Sequence, residues 1–212
     1  CCSELKMTDG IGYRDKTITG IGTFCHEYSH TLGLADLYDT DYEGSGGESA
    51  GVWISTSLMD GGNHNNFGNT PPYYNAIERE MLGICEPIRI TSDGSYSLGP
   101  LDKTNTVYRI DTDHEDEYYL LECRSGKGWD AYIGGKGMLV YHIDRSDRSS
   151  GYSENYGRVL KAYERWEAAN EVNCRPDHQC ADLLEADGRN DIFSHDIPAD
   201  ISGVFFPQYG AT

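Results

Sequence analysis

The chain of 212 residues has no apolar run approaching the ~20 residues of a membrane-spanning helix, so a helical membrane span is excluded. It is also short of positive charge. Seventeen Lys and Arg stand against 35 Asp and Glu, a formal net charge of −18. Such a surface repels phosphate backbones and anionic headgroups, which argues against nucleic-acid and membrane partners. It suits a soluble secreted protein, or one that binds calcium. No C-x-x-C pair offers a thiolate zinc spacing, and no D-x-[DN]-x-[DN]-G string offers an EF-hand loop. There are no internal repeats and no low-complexity tract. The sequence opens at Cys1-Cys2 without a methionine, and its first residues do not read as a signal peptide. The seven cysteines are odd in number, which leaves at least one thiol unpaired. Cys174 and Cys180 are spaced to close a short disulfide loop in an exported protein. A hydrophobic fraction of 38% is enough for a core, in one large domain or a domain plus an appendage.

What is present is concentrated in one run, His26-Glu27-Tyr28-Ser29-His30, followed by Gly33 and Asp36. It reads H-E-x-x-H-x-x-G-x-x-D. Histidines four apart on a helix share a face and can reach one zinc ion at about 2.0–2.1 Å. Glu27, beside the first ligand, is placed to take a proton from a metal-activated water. The bland alternative is a chance match with exposed histidines. The extension speaks against it. Gly33 suits a left-handed helix end. Asp36, three residues on, is an oxygen ligand for zinc at ~2.0–2.2 Å, its alternative being a turn acid. The spacing predicts a helix over residues 20–32, capped by Thr19 or Thr23. A stripe of Phe24, Tyr28, Thr31 and Leu32 is expected to bury one side of it. Cys25 points about 100° away from His26 and reads as a core thiol or disulfide partner.

Residues 22–39, GTFCHEYSHTLGLADLYD, resemble the active-site segment of the immune inhibitor A-like zinc peptidases, a bacterial secreted family. Ser57-Leu58-Met59-Asp60 is similar to that family's turn beneath the metal, and the resemblance implies that Met59 supports the site. Residues 128–132, 137–144 and 184–188 are similar to its later segments. Some zincins of this type carry a tyrosine two residues after the methionine, near the metal. Here that position is Gly61, and Tyr73 or Tyr74 is the candidate for the role. Packing at a helix start is the alternative for both. The resemblance implies an α+β fold: a zincin-like catalytic region with its active-site helix, followed by a β-rich region. Residues 1–86 would be the C-terminal part of the catalytic region, and residues 87–212 the β-rich region of the same peptidase unit. It also implies more chain upstream, so a fragment of a larger catalytic domain is expected. The implied activity is that of a secreted zinc metalloendopeptidase acting on protein or peptide substrates. The alternative is a non-catalytic zincin-fold binding or structural module, against which the intact Glu27 argues.

The remainder reads coarsely. Residues 36–51 form an acidic, Gly-rich loop whose Asp39, Asp41 and Glu43 are candidate calcium ligands, with a solvated loop as the alternative. Residues 61–70 are loop. Thr70-Pro71-Pro72 predicts a helix start with Thr70 as cap, ending at Gly83. Strands are predicted at residues 88–90, 107–110, 118–122 and 138–143, and a helix at 158–170. His142 and Asp144 share a strand face, which makes His142 a candidate substrate contact or a structural edge residue. His64, His114, His178 and His195 have no ligand spacing.

Overall fold

Alternation along residues 117–124 builds the centre of the molecule. Tyr118, Leu120, Glu122 and Arg124 turn to one face and are buried; Tyr119, Leu121 and Cys123 turn to the other and are half-buried. The computed structural model describes residues 5–7, 16–18, 20–49, 55–188 and 202–206. Cys1, Cys2, Thr19 and His195 lie outside the described residues. The fold mixes helix and sheet, as the sequence leads one to expect. Strands β1 (Leu5–Met7) and β2 (Lys16–Ile18) pair antiparallel ahead of helix α1 (Gly22–Thr31). Helix α2 (Ala76–Met81) precedes β3 (Ile88–Arg89), α3 (Leu101–Thr104), β4 (Tyr108–Asp111), β5 (Glu117–Arg124) and β6 (Gly137–Asp144). The hairpin of β7 (Gly151–Ser153) and β8 (Arg158–Leu160), helix α4 (Ala162–Glu167) and β9 (Ala181–Leu184) follow.

The main sheet runs β3-β4-β5-β6-β9, antiparallel except for the β3–β4 pair. Four of its strands fall where the apolar runs between turn residues predict them. β9 escapes sequence reading because Ala181-Asp182-Leu183-Leu184 carries neither β-branched nor aromatic residues. One buried cluster joins Leu37, Met59 and Ile77 to Leu120, Tyr141 and Leu183, so a single core runs across residue 86.

A buried polar network fastens the sheet to the segment ahead of α2. Arg124 Nε and Nη2 engage Asp130, Nη1 donates to Glu122 (3.1 Å) and to the Thr56 carbonyl (3.2 Å), and Nη2 donates to the Tyr73 carbonyl (3.1 Å). Glu122 also accepts from the Tyr141 hydroxyl (2.8 Å) and the Ala76 amide (2.7 Å). Every donor position of the guanidinium thus has an acceptor, which is what burial of that charge requires.

Several expectations are corrected. Helix α1 has Ile21 at its N-cap with no side-chain cap; the Gly22 amide donates instead to the Gly68 carbonyl (2.8 Å), so the 61–68 loop replaces Thr23 in that role. The apolar stripe on α1 is exposed among the described residues: Phe24 62%, Tyr28 53%, Leu32 50%. The buried face is Gly22, His26 and Ser29, because the glycine allows the closest backbone approach. Thr70 is not a helix cap. Residues 71–75 are extended or irregular, and Asn75 caps α2 in a reciprocal box with Glu78. The helix predicted over 158–170 splits, since residues 158–160 pair with β7 and only α4 is helical. Cys174 and Cys180 are free thiols. The first lies 3.1 Å from Thr40 Oγ1, and burial pushes both thiols up, to about 12 and about 11.

Candidate metal centre

Helix α1 ends as its sequence dictates. Gly33 has φ +99°, Gly33 N donates to His30 O (3.0 Å) and Leu34 N to Ser29 O (3.2 Å). This paired ending turns the chain back beneath its own helix and delivers Asp36 to the two histidines. His26 Nε2 stands 3.1 Å and His30 Nε2 3.4 Å from Asp36 Oδ1. Ligands about 2.0–2.2 Å from a tetrahedral ion stand roughly 3.3–3.6 Å from one another; the two nitrogen–oxygen distances lie close to that range, and all three ligand atoms are within 4.8 Å of one another.

The histidine protons are fixed by their surroundings. His26 Nδ1 faces the Leu58 carbonyl and His30 Nδ1 faces the Leu34 carbonyl, both at 2.8 Å. A carbonyl only accepts, so each Nδ1 carries a proton, and in the neutral imidazole it is Nε2 that turns its lone pair toward Asp36. Asp36 is buried, and its two oxygens differ. Oδ2 accepts from Asn170 Nδ2 (2.7 Å), whereas Oδ1 is buried with no aligned hydrogen bond. A buried carboxylate oxygen without a donor is costly unless a cation occupies the space it faces. Two imidazole nitrogens and a carboxylate oxygen are also a donor set that zinc accepts, so the residues fit the metal.

Electrostatics agree with the geometry. Burial lowers the pKa of His26, but its contacts with Asp36 and the Leu58 carbonyl outweigh this and raise it. Burial raises that of Asp36, and His26, Asn170 and His30 together hold it below the ordinary carboxylate range. The Tyr38 phenol beside it is pushed up by burial and by that carboxylate.

The turn at Met59 ties both ligand segments together. Met59 is fully buried, its carbonyl accepts from Leu37 N (2.9 Å), and the adjacent Leu58 carbonyl holds His26. Glu78 anchors the turn from α2, accepting from Met59 N (2.8 Å), Ser57 Oγ (2.7 Å) and Asn75 N (2.7 Å). Glu27 is exposed on α1 next to His26. Tyr74 is bonded through its hydroxyl to Ser29 Oγ (2.6 Å), and Tyr73 lies against Gly128; together they line a cavity with Ile21, Cys25, Leu58 and Trp129. His142 is not brought to the ligands. Tyr141 turns toward α2 through Glu122, so the neighbouring His142 faces away, where its Nε2 meets Glu117 Oε1 at 2.9 Å. It sits on an interior strand of the sheet. Sequence reasoning missed Asn170 and Glu78. Glu78 had a signal, the N-x-x-E box of its helix start; Asn170, 134 residues from Asp36, had none.

In the acidic loop, Asp39 and Asp41 gather with Cys174, their ligand atoms within 4.8 Å, while Glu43 is exposed and apart. Burial pushes the Asp39 carboxyl up to about 6.

Residues 9–83 match the family model described as "Immune inhibitor A peptidase M6, catalytic domain". Over 64 residues the chain is 42% identical to Immune inhibitor A from Bacillus thuringiensis subsp. alesti. That stretch is 29% of this chain and 9% of the length of that protein. No solved structure matches.

Proposed function

For a chain that carries the catalytic segment of the immune inhibitor A peptidase family, we propose the activity of a secreted zinc-dependent endopeptidase. His26, His30 and Asp36 hold the metal and Glu27 is the general base. The observation that carries the reading is the convergence of two Nε2 atoms on one buried carboxylate oxygen that has no aligned hydrogen bond. Zinc in such a site lowers the pKa of a bound water toward ~7 and polarises a substrate carbonyl. Glu27, exposed beside His26, takes the proton from the attacking water and returns it to the departing amine. The Leu58 and Leu34 carbonyls keep the imidazoles in the tautomer that ligation needs. Met59 and the turn around it hold the floor of the site. Tyr73 and Tyr74 act as substrate contacts through the cavity they line, about 260 Å³ beside α1. In the acidic loop the Asp39 and Asp41 carboxylates are the hard oxygen donors that calcium takes, whereas the Cys174 thiol beside them is not, so that loop reads first as a solvated one. Secretion accords with the net charge of −18, and no helix among the described residues is long and apolar enough to cross a membrane.

The test pairs zinc analysis with digestion of an unstructured protein such as casein. Parent chain should hold about one chelator-removable zinc and digest the substrate. Glu27→Gln should keep the zinc and lose activity by roughly 10²–10⁴-fold, because an amide cannot take the proton. Parent-level digestion by Glu27→Gln would exclude Glu27 as base. Zinc uptake without digestion by the parent would favour the non-catalytic module.

A further inference from the structure

We infer that Asn170 is a positioning residue that aims Asp36 and thereby sets the metal affinity of the site; the inference rests on the zinc reading above. Asn170 grips Asp36 at two points. Its Nδ2 donates to Asp36 Oδ2 at 2.7 Å, and its Oδ1 accepts from the Asp36 amide at 2.6 Å. One bond fixes the backbone that carries the ligand, and the other fixes the rotation of the carboxylate. With Oδ2 occupied, only Oδ1 is free, and it is the oxygen that faces both imidazoles. The amide therefore selects one-oxygen ligation in advance, so that less rotational freedom is lost when a cation binds.

Asn170 is itself held. It adopts φ +56°, a left-handed conformation that asparagine and glycine tolerate. Its carbonyl accepts from Thr40 Oγ1 at 2.7 Å, and the next residue's amide, Glu171 N, donates to Arg165 O at 3.2 Å. Arg165 is fully buried and returns a bond from Nη1 to the Glu171 carbonyl, also 3.2 Å. The clamp thus stands on the end of α4, and the third ligand is oriented by a residue 134 positions further along the chain.

The glycine substitution isolates the amide. Asn170→Gly keeps the left-handed backbone and its bond to Thr40, and removes only the side chain. Zinc affinity of the whole chain is measured by competition with a chromophoric chelator, in the parent, Asn170→Gly, Asp36→Ala and the double variant. Thermal midpoints of the metal-free proteins are recorded alongside. Asn170→Gly should bind zinc about 10–100-fold more weakly than the parent. In the Asp36→Ala background the same change should have no further effect, because the amide acts through that carboxylate. A general structural role would instead weaken binding by the same factor in both backgrounds, and would overturn the inference. So would parent-like zinc affinity in Asn170→Gly. A parent chain that takes up no zinc removes the metal reading and this inference together, whereas a zinc-binding parent with an indifferent Asn170→Gly removes the inference alone.

Discussion

Gly22 lies where α1 crosses the 61–68 loop. Its amide is spent on the Gly68 carbonyl, and a methyl group in place of its hydrogen would overlap the Asn63 carbonyl. Gly20 meets the backbone of Gly68 in the same way. A backbone atom cannot rotate aside as a side chain can, so the whole start of the helix would have to shift. Gly22→Ala should therefore cost about 1–3 kcal/mol and lower the thermal midpoint; an unchanged midpoint would show that the loop yields. The candidate ligands show how far sequence reasoning reaches at this scale. His26, His30 and Asp36 are legible because one helix and one glycine turn determine where they meet. Asn170 is not, because nothing in its own neighbourhood says which carboxylate it will meet.

Helix α2 is short, and its role is to carry Glu78. That carboxylate accepts three donors while fully buried, and burial raises its pKa despite them. It closes the capping box with Asn75 and pins the Met59 turn, so one side chain joins a helix start to the floor of the candidate metal centre. Glu78→Gln has nearly the same shape but exchanges one acceptor for a donor. A buried N–H then faces another donor, which costs about 1–3 kcal/mol. The expected result is a lower midpoint in denaturant with an unchanged slope. A midpoint equal to the parent's would mean that the turn holds without Glu78. Strands β4, β5 and β6 are readable because each carries aromatic, aliphatic or β-branched residues in a short run bounded by turn residues. The burial of α1 departs from the sequence expectation because its apolar stripe is not its packed face. Phe24 and Tyr28 stack on each other, ring centroids 6.0 Å apart, while glycine, histidine and serine make the inward contact. Size and hydrophobicity predict burial only where bulky side chains leave the packing partner room.

Across the whole molecule the surplus of acid makes a carboxylate that loses water without enough donors or cations beside it a liability. On the outer face of the sheet, Asp182 pairs in register with His142, and burial pushes its carboxyl up to about 6. Its folded pKa lies above the unfolded value. The folded state then binds the extra proton between about pH 4 and 6, and stability falls as pH rises through that window. Asp182→Asn removes the charge and keeps the shape. It should raise the thermal midpoint at pH 8 and leave it nearly unchanged at pH 4; an equal shift at both would assign the effect to packing. The reach from Asp36 to Asn170 also orders events in time. Residues 26–36 can fold on themselves as soon as one helix and its glycine turn form. Asn170 arrives only when the chain has closed a loop of 134 residues, a slow step because its entropy cost precedes its reward. A refolding chain therefore offers two imidazoles first and a firmly aimed carboxylate last, so on the proposed reading the grip on a metal would tighten only as folding finishes.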